Sequence, residues 1–312
     1  MTASTSPKVN TQIYILCRDR WEYLHESINS IVEQLGPEDE LIISDNSVSD
    51  SVKNGVSKYF PEIGYVRRLP NLSAHEHFRK IIGEAGAEFL VLFHDDDMLG
   101  DGYLAAMKRA MISDKNLAAV ACNAFLVKGN AKTGIDFMGN LEGESRITEI
   151  TQLLQPYFSI GSYRPAPFSG YLYRTAKIKG LFLDENHGGK YADVSFLAKI
   201  LNRGPILWIF RPLMFYRLHD SNDSNTHSVG QSLSLLRYLM SHHEISRKSE
   251  LVLDYKFKYL FYWCLRGNGN VMQGMLSSRK KRVVIFFLLT YLAKLAWKKR
   301  VPWNKIYKKY IH

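Results

Sequence analysis

The sequence predicts an α/β fold: a mostly parallel sheet flanked by helices, followed by a helical, basic C-terminal extension. Three observations carry that expectation. Over the first 130 residues, short apolar runs alternate with segments of helical spacing, and each run stops in polar residues. The runs are nearly continuous, as in strands buried on both faces of a parallel sheet. All acidic residues fall at or before Asp254, so the chain ends in a tail whose charges are only basic.

Gln12–Cys17 opens with a strand rich in β-formers, and Arg18-Asp19-Arg20 stops it. From Trp21, apolar residues at Leu24, Ile28, Ile31, Val32 and Leu35 mark one helical face, which Gly36-Pro37 ends. Leu41–Ser44 is a second strand running into Asp45-Asn46-Ser47. A helix to about Phe60 and a strand near Ile63–Arg67 follow. Ala74–Ala85 reads as a helix with Phe78, Ile81, Ile82 and Ala85 inward. Phe89–Phe93 is the most apolar strand, and it ends in His94-Asp95-Asp96-Asp97. Tyr103–Met111 is helical and Ala118–Phe125 extended. Lys128–Glu149, Gly-rich and polar, reads as an irregular excursion. Beyond it, short helices mix with the aromatic strands Phe168–Tyr173, Ile206–Phe210 and Leu213–Leu218. From Ser228 the pattern turns helical. Ligands of such sheets sit at the carboxyl ends of the strands, which puts Arg18, Asp45 and Asp95–Asp97 on one rim.

With 312 residues, 46% hydrophobic and 23% charged, the chain has material for a real core, which excludes disorder, collagen and coiled coil. The net charge of +11 hides a split, since residues 1–254 carry −3 and residues 255–312 carry +14. A mildly acidic body is unlike a nucleic-acid-binding domain. The pattern itself changes character near Asn222–Gly230, and we divide the chain there, into a body over 1–227 and a helical, basic extension over 228–312. Three scattered cysteines, Cys17, Cys122 and Cys264, make neither a disulfide framework nor a zinc cluster. Met1–Asn10 is polar and the run after it too short for a secretory core, so a reduced, cytoplasmic setting is expected.

The triplet Asp95-Asp96-Asp97 is the sharpest chemical signal. Adjacent carboxylates repel one another, and hard divalent ions such as Mg²⁺ and Mn²⁺ are bound by such oxygens together with substrate phosphates. The alternative to a metal role is a solvated loop. Asp45 closes its strand where it could meet a nucleobase or ribose, or simply form a turn. No Gly-rich phosphate loop is present. His75 and His77 point in different directions on a helix, and neither they nor His242-His243 have thiols nearby to complete a site.

In order and spacing these pieces resemble a family 2 glycosyltransferase of the GT-A type, over about residues 10–225. The resemblance rests on Ile13–Arg20 before Tyr23-Leu24, on Ile42–Asp50, and on the Asn71 loop. It continues through Leu90–Asp97, Lys190-Tyr191-Ala192-Asp193 and Tyr216-Arg217-Leu218-His219. It implies a Rossmann-like GT-A sheet and a UDP-linked sugar as donor, whose nucleotide Asp45, with Asn46, Arg18 and Asn71, would meet. Asp95, Asp96 and Asp97 would hold Mn²⁺ or Mg²⁺ against the diphosphate, and Arg217 and His219 would face it from the other side. Asp193 would be the general base of an inverting displacement. The register of the acids stays open: the usual alignment places the first acid on His94, leaving Asp96 and Asp97, and a shift of one pairs Asp95 with Asp97.

The tail reads Arg279-Lys280-Lys281-Arg282, then Val283–Trp297, then Lys298-Lys299-Arg300 and Lys305, Lys308 and Lys309 with Trp and Tyr between. The apolar stretch is shorter than the roughly 20 residues a crossing needs. Basic clusters around an apolar helix with interfacial Trp and Tyr suit a segment lying on an anionic membrane surface, here the inner face of the cell membrane. The alternative is a core helix packed on the body. Membrane contact fits a lipid-linked oligosaccharide acceptor of the undecaprenyl diphosphate type, in O-antigen or capsule synthesis. Two other readings compete: a metal-dependent nucleotidyltransferase, and a non-enzymatic protein with a nucleic-acid-binding tail.

Overall fold

The computed structural model describes residues 10–129, 131–159, 163–219, 228–243, 245–256 and 258. Among them, 10–153 with 163–243 make one compact unit, and 154–159 with those from 245 onward make a second. The basic clusters from Arg279 and the apolar stretch Val283–Trp297 lie outside the described residues. Among the described residues, no helix is long and apolar enough to cross a membrane.

The chain opens with β1 (Thr11–Cys17), α1 (Trp21–Val32), β2 (Asp39–Asp45), α2 (Ser51–Tyr59), β3 (Gly64–Arg67) and α3 (Ala74–Glu84). There follow β4 (Phe89–His94), β5 (Met98–Leu99), α4 (Tyr103–Ser113), β6 (Ala119–Lys128), β7 (Ala131–Asp136) and β8 (Glu144–Ile147). Then come α5 (Ile150–Phe158), β9 (Tyr171–Arg174), α6 (Thr175–Ile178), α7 (Ala192–Leu201), β10 (Ile206–Leu218) and α8 (Val229–His242).

The ten strands form one sheet in the order β3-β2-β1-β4-β9-β6-β10-β5, with β7 on β6 and β8 on β10. β1 runs parallel to β2 and β4, β2 parallel to β3, and β6 parallel to β10. β9 lies antiparallel to both β4 and β6, so β1–β4, β6 and β10 share one direction. This is the mixed α/β sheet that the sequence predicts. Burial explains its centre, since Phe89, Leu90, Val91, Leu92 and Phe93 are all fully enclosed. Each such side chain contributes about 1.5–3 kcal/mol relative to exposure.

Helical periods are obeyed with small deviations. α1 buries Leu24, Ser27, Ile28 and Ile31 but stops at Val32, which is turned outward. α3 starts in a capping box, with Ser73 Oγ accepting from the Glu76 N–H and the Glu76 carboxylate accepting from the Ser73 N–H. Two expectations change. The excursion after Lys128 contains β7 and β8, and β7 (AKTGID) gives no apolar alternation because it is almost wholly exposed and is held by pairing with β6. The two aromatic strands at 206–218 are one strand, β10, whose register against β6 shifts on both sides of Pro212. Proline has no N–H for the ladder, so the irregularity falls where the pairing is already broken.

Candidate active site

The shared strand direction brings the residues that follow β1, β2, β4 and most of β10 to one rim, where a cleft of about 770 Å³ opens in the first unit. Arg18, Arg20, Asn46, His94, Asp95, Asp96, Asp97, Lys190 and Asp193 all line it. The acid loop is short because β5 follows at once and pairs with β10, Leu99 opposite Met214 and Met98 opposite Phe215. Gly100 N–H donates to Leu213 O at 2.8 Å. The three acids are therefore stitched between β4 and β10.

Each acid faces different partners. Asp95 is fully buried, accepts the Arg18 N–H at 3.1 Å and pairs with Arg20 at 2.8 Å. Burial pushes its carboxyl up to about 7 despite the arginine. Asp96 Oδ2 lies 3.0 Å from Arg20 Nη1 and 2.8 Å from His219 Nε2. Burial pushes Asp96 upward, but His94, His219 and Arg20 together hold it below the ordinary carboxylate range. Asp97 is buried, accepting the Ser169 hydroxyl at 2.5 Å and the Arg217 N–H at 3.1 Å. Burial and then the neighbouring Asp96 push it up to about 8.

Among the described residues, one group has the ligand atoms for a metal: His94, Asp96 and Asp97, within 4.8 Å of one another. Burial and the charge of Asp96 oppose ionisation of Asp97, a cost that a divalent ion would relieve. Two carboxylates with one imidazole suit Mn²⁺, which tolerates nitrogen, better than Mg²⁺, which favours all-oxygen shells. Asp95 is directed instead at Arg20 and the Arg18 backbone.

Asp193 stands in the first turn of α7, on the same cleft as the acids. Burial pushes its carboxyl up to about 6, against the hydrogen bonds of its own and the Val194 backbone. His219 stacks on Tyr23, ring centroids 5.5 Å apart.

The remaining predicted residues are braces in this structure. Asp45 is fully buried at the end of β2 and accepts from Tyr65 Oη (2.5 Å), Arg67 Nη1 (2.9 Å) and the Ser47 N–H (2.9 Å). It does not line the cleft, whereas its neighbour Asn46 does. Asn46 exchanges two hydrogen bonds with Leu72, and Asn71 Nδ2 donates to Asn46 O and Ser47 O. The Arg217 guanidinium donates to Asp96 O and Gly129 O, pairs with Glu26 and packs over Tyr23, so it backs the acid loop and does not line the cleft.

Sequence reasoning missed several groups. Arg20 reads in the sequence only as part of the polar turn that stops β1, yet it bridges two of the acids. Ser169 holds Asp97 from 72 residues away. Phe78 and Phe168 flank His94 as an aromatic wall of the cleft, with centroids 6.1 and 6.3 Å from it. Gln231 of α8 also lines the cleft. A basic residue straight after a strand of a parallel sheet was the one available signal, and it pointed to Arg20 as readily as to Arg18.

Residues 12–171 match the family described as Glycosyl transferase family 2. Among solved structures, residues 1–349 of S. aureus TarS superpose with a TM-score of 0.53 at 15% identity, covering 77% of this chain and 73% of that one. The same protein in complex with UDP-GlcNAc gives 0.55 at 16% identity, covering 78% and 75%. Its complex with UDP gives 0.53 at 16% identity, covering 88% and 83%. At these identities the likeness is one of fold. No curated protein matches the chain.

Proposed function

Because the chain belongs to glycosyl transferase family 2 and is a glycosyltransferase, we propose that it is a metal-dependent, inverting enzyme using a UDP-linked sugar as donor. Its acceptor is a saccharide on an undecaprenyl diphosphate type of lipid, in surface polysaccharide assembly. The observation that carries this reading is that one cleft at the strand ends holds both the His94, Asp96 and Asp97 group and Asp193. The UDP and UDP-GlcNAc complexes of TarS, which shares the fold, support the choice of donor.

His94, Asp96 and Asp97 would hold the divalent ion, which when bound neutralises charge gathering on the departing diphosphate. Asp193 takes the proton from the acceptor hydroxyl, and the freed oxygen attacks the anomeric carbon on the face opposite the leaving UDP. A carboxylate with pKa near 6 is strong enough to accept that proton and is still ionised at neutral pH. Arg18 and Asn46, which line the cleft, border the nucleotide end, and Asp45 and Asn71 fix the shape of the loop that carries Asn46. His219 faces the diphosphate beside Asp96. The basic tail brings the body to an anionic leaflet where the acceptor is anchored.

The test is transfer of labelled sugar from a panel of UDP-sugars, with Mn²⁺, to a lipid diphosphate-linked saccharide. Asp193→Asn should lower transfer at least about 100-fold, the range for a lost general base, with UDP affinity within about twofold of wild type. Equal loss of both would give Asp193 a structural part instead.

A further inference from the structure

Arg20 occupies an unusual electrostatic position. It sits on the loop after β1 and lines the cleft with its side chain 38% exposed. Nη2 holds the buried Asp95 at 2.8 Å and Nη1 holds Asp96 Oδ2 at 3.0 Å. That same Asp96 oxygen lies 2.8 Å from His219 Nε2. Asp97, by contrast, turns to Ser169 and the Arg217 backbone. The guanidinium therefore pairs with Asp96, one of the two carboxylates in the candidate metal group, while the other is held by Ser169 and the Arg217 backbone.

A divalent ion held by Asp96 and Asp97 competes with a guanidinium for the same carboxylate, because each cation lowers the field available to the other. Asp95 lies outside the metal group and is fully enclosed, so it keeps its hold on Nη2 and acts as a pivot. A long, half-exposed side chain hinged in this way can swing into the cleft the Nη1 side of its fork that Asp96 gives up. That fork matches the spacing of phosphate oxygens.

Resting on the metal-dependent reading above, we infer that Arg20 is a transferable counter-ion. Without a divalent ion it neutralises Asp96; when Asp96 takes the ion, Arg20 is displaced onto the diphosphate of the donor. Charge at the acid loop is thus covered in both states, and donor affinity is coupled to metal occupancy through one side chain.

The coupling gives a signature of opposite signs, which a merely structural residue would not produce. Full-length wild type, Arg20→Gln and Arg20→Lys are titrated with Mn²⁺ alone, read by the electron paramagnetic resonance of free Mn²⁺. They are then titrated calorimetrically with UDP at saturating Mn²⁺. Arg20→Gln should bind Mn²⁺ alone about fivefold more tightly, as expected when a competing, partly exposed ion pair is removed. It should bind UDP in the presence of Mn²⁺ about tenfold more weakly, as expected for a lost charged contact to phosphate. Arg20→Lys, which keeps the charge but not the fork, should move both constants the same way by less, and it serves if Arg20→Gln does not fold by circular dichroism. Parallel loss of Mn²⁺ and UDP affinity in either folded variant overturns the inference. Should wild type bind no Mn²⁺ with or without UDP, the metal-dependent reading beneath it fails as well, and that result is distinguishable from failure of the counter-ion alone.

Discussion

A carboxylate in the first turn of a helix ordinarily gains from the positive end of the backbone dipoles. For Asp193, burial outweighs that gain and lifts its pKa to about 6. If this group is the base, the acceptor reaction needs it ionised. At saturating Mn²⁺, kcat/KM should therefore climb tenfold per pH unit below about 6 and level off above it. A limb near 4 in the pH–rate profile would show that the base is an unburied carboxylate elsewhere. His77 makes the opposite case, one of stability. Ser44 Oγ accepts from Arg68 Nε at 2.8 Å, which leaves its proton for His77 Nε2 at 2.7 Å, and Arg68 is anchored in turn by Glu84. Burial and then Arg68 push the imidazole down to about 4. The unfolded chain takes up this proton near the ordinary 6.5, so stability is complete above that pH and falls as pH drops toward 4. The loss is about 1.4 kcal/mol per unit across that window. His77→Gln, whose amide can still meet Ser44, should flatten the dependence of Tm on pH between 6.5 and 4.

At the scale of elements, the loop ahead of α7 is shaped by α8. Gly189 has φ +57°, and a Cβ there would fall 2.4 Å from Gln231 Cδ. Gly188, at φ +130°, lies against Leu235. This glycine pair lets α8 seat on the loop that carries Lys190 and leads to Asp193. Gly189→Ala should destabilise the protein by about 1–2 kcal/mol through backbone strain and displacement of Gln231. The melting temperature should fall by a few degrees, and adding Gln231→Ala should recover the steric part. Loss that Gln231→Ala leaves untouched would place the whole cost in the backbone.

The same elements show what a linear reading can reach. β1, β2, β4 and β6 are legible because burial on both faces leaves continuous apolar runs, and their polar ends mark the rim of the cleft. β7 is illegible because its residues gain from ladder pairing alone and carry no apolar pattern. At the site, the acids are legible from their place after a strand, and Asp193 only through the family resemblance. The bonds of Ser169 to Asp97 and of Arg20 to Asp95 join residues 72 and about 75 positions apart, and no local spacing encodes them. For the same reason, the burial of Asp45 against Tyr65 and Arg67 could not be read from its position at the end of β2.

For the whole molecule, the charge is divided into −3 over residues 1–254 and +14 over residues 255–312. The proposed membrane contact predicts cosedimentation with phosphatidylglycerol vesicles but not with phosphatidylcholine vesicles. Replacing Arg279, Lys280, Lys281 and Arg282 by Gln should weaken that binding at least tenfold, since each charge near an anionic leaflet contributes about 1 kcal/mol. Unchanged binding would assign the contact to another part of the chain, and equal capture by duplex DNA would favour a general polyanion-binding tail.

The stitching of the acid loop to β10 also sets an order of events during synthesis. Asp97 depends on the backbone N–H of Arg217, and the Asp96 carbonyl on that residue's guanidinium. A ribosome-bound chain that has yet to extend past residue 217 already displays all three aspartates but lacks both of those supports. Competence for sugar transfer therefore arrives late, after most of the polypeptide has emerged, and N-terminal fragments of this protein are expected to be catalytically silent.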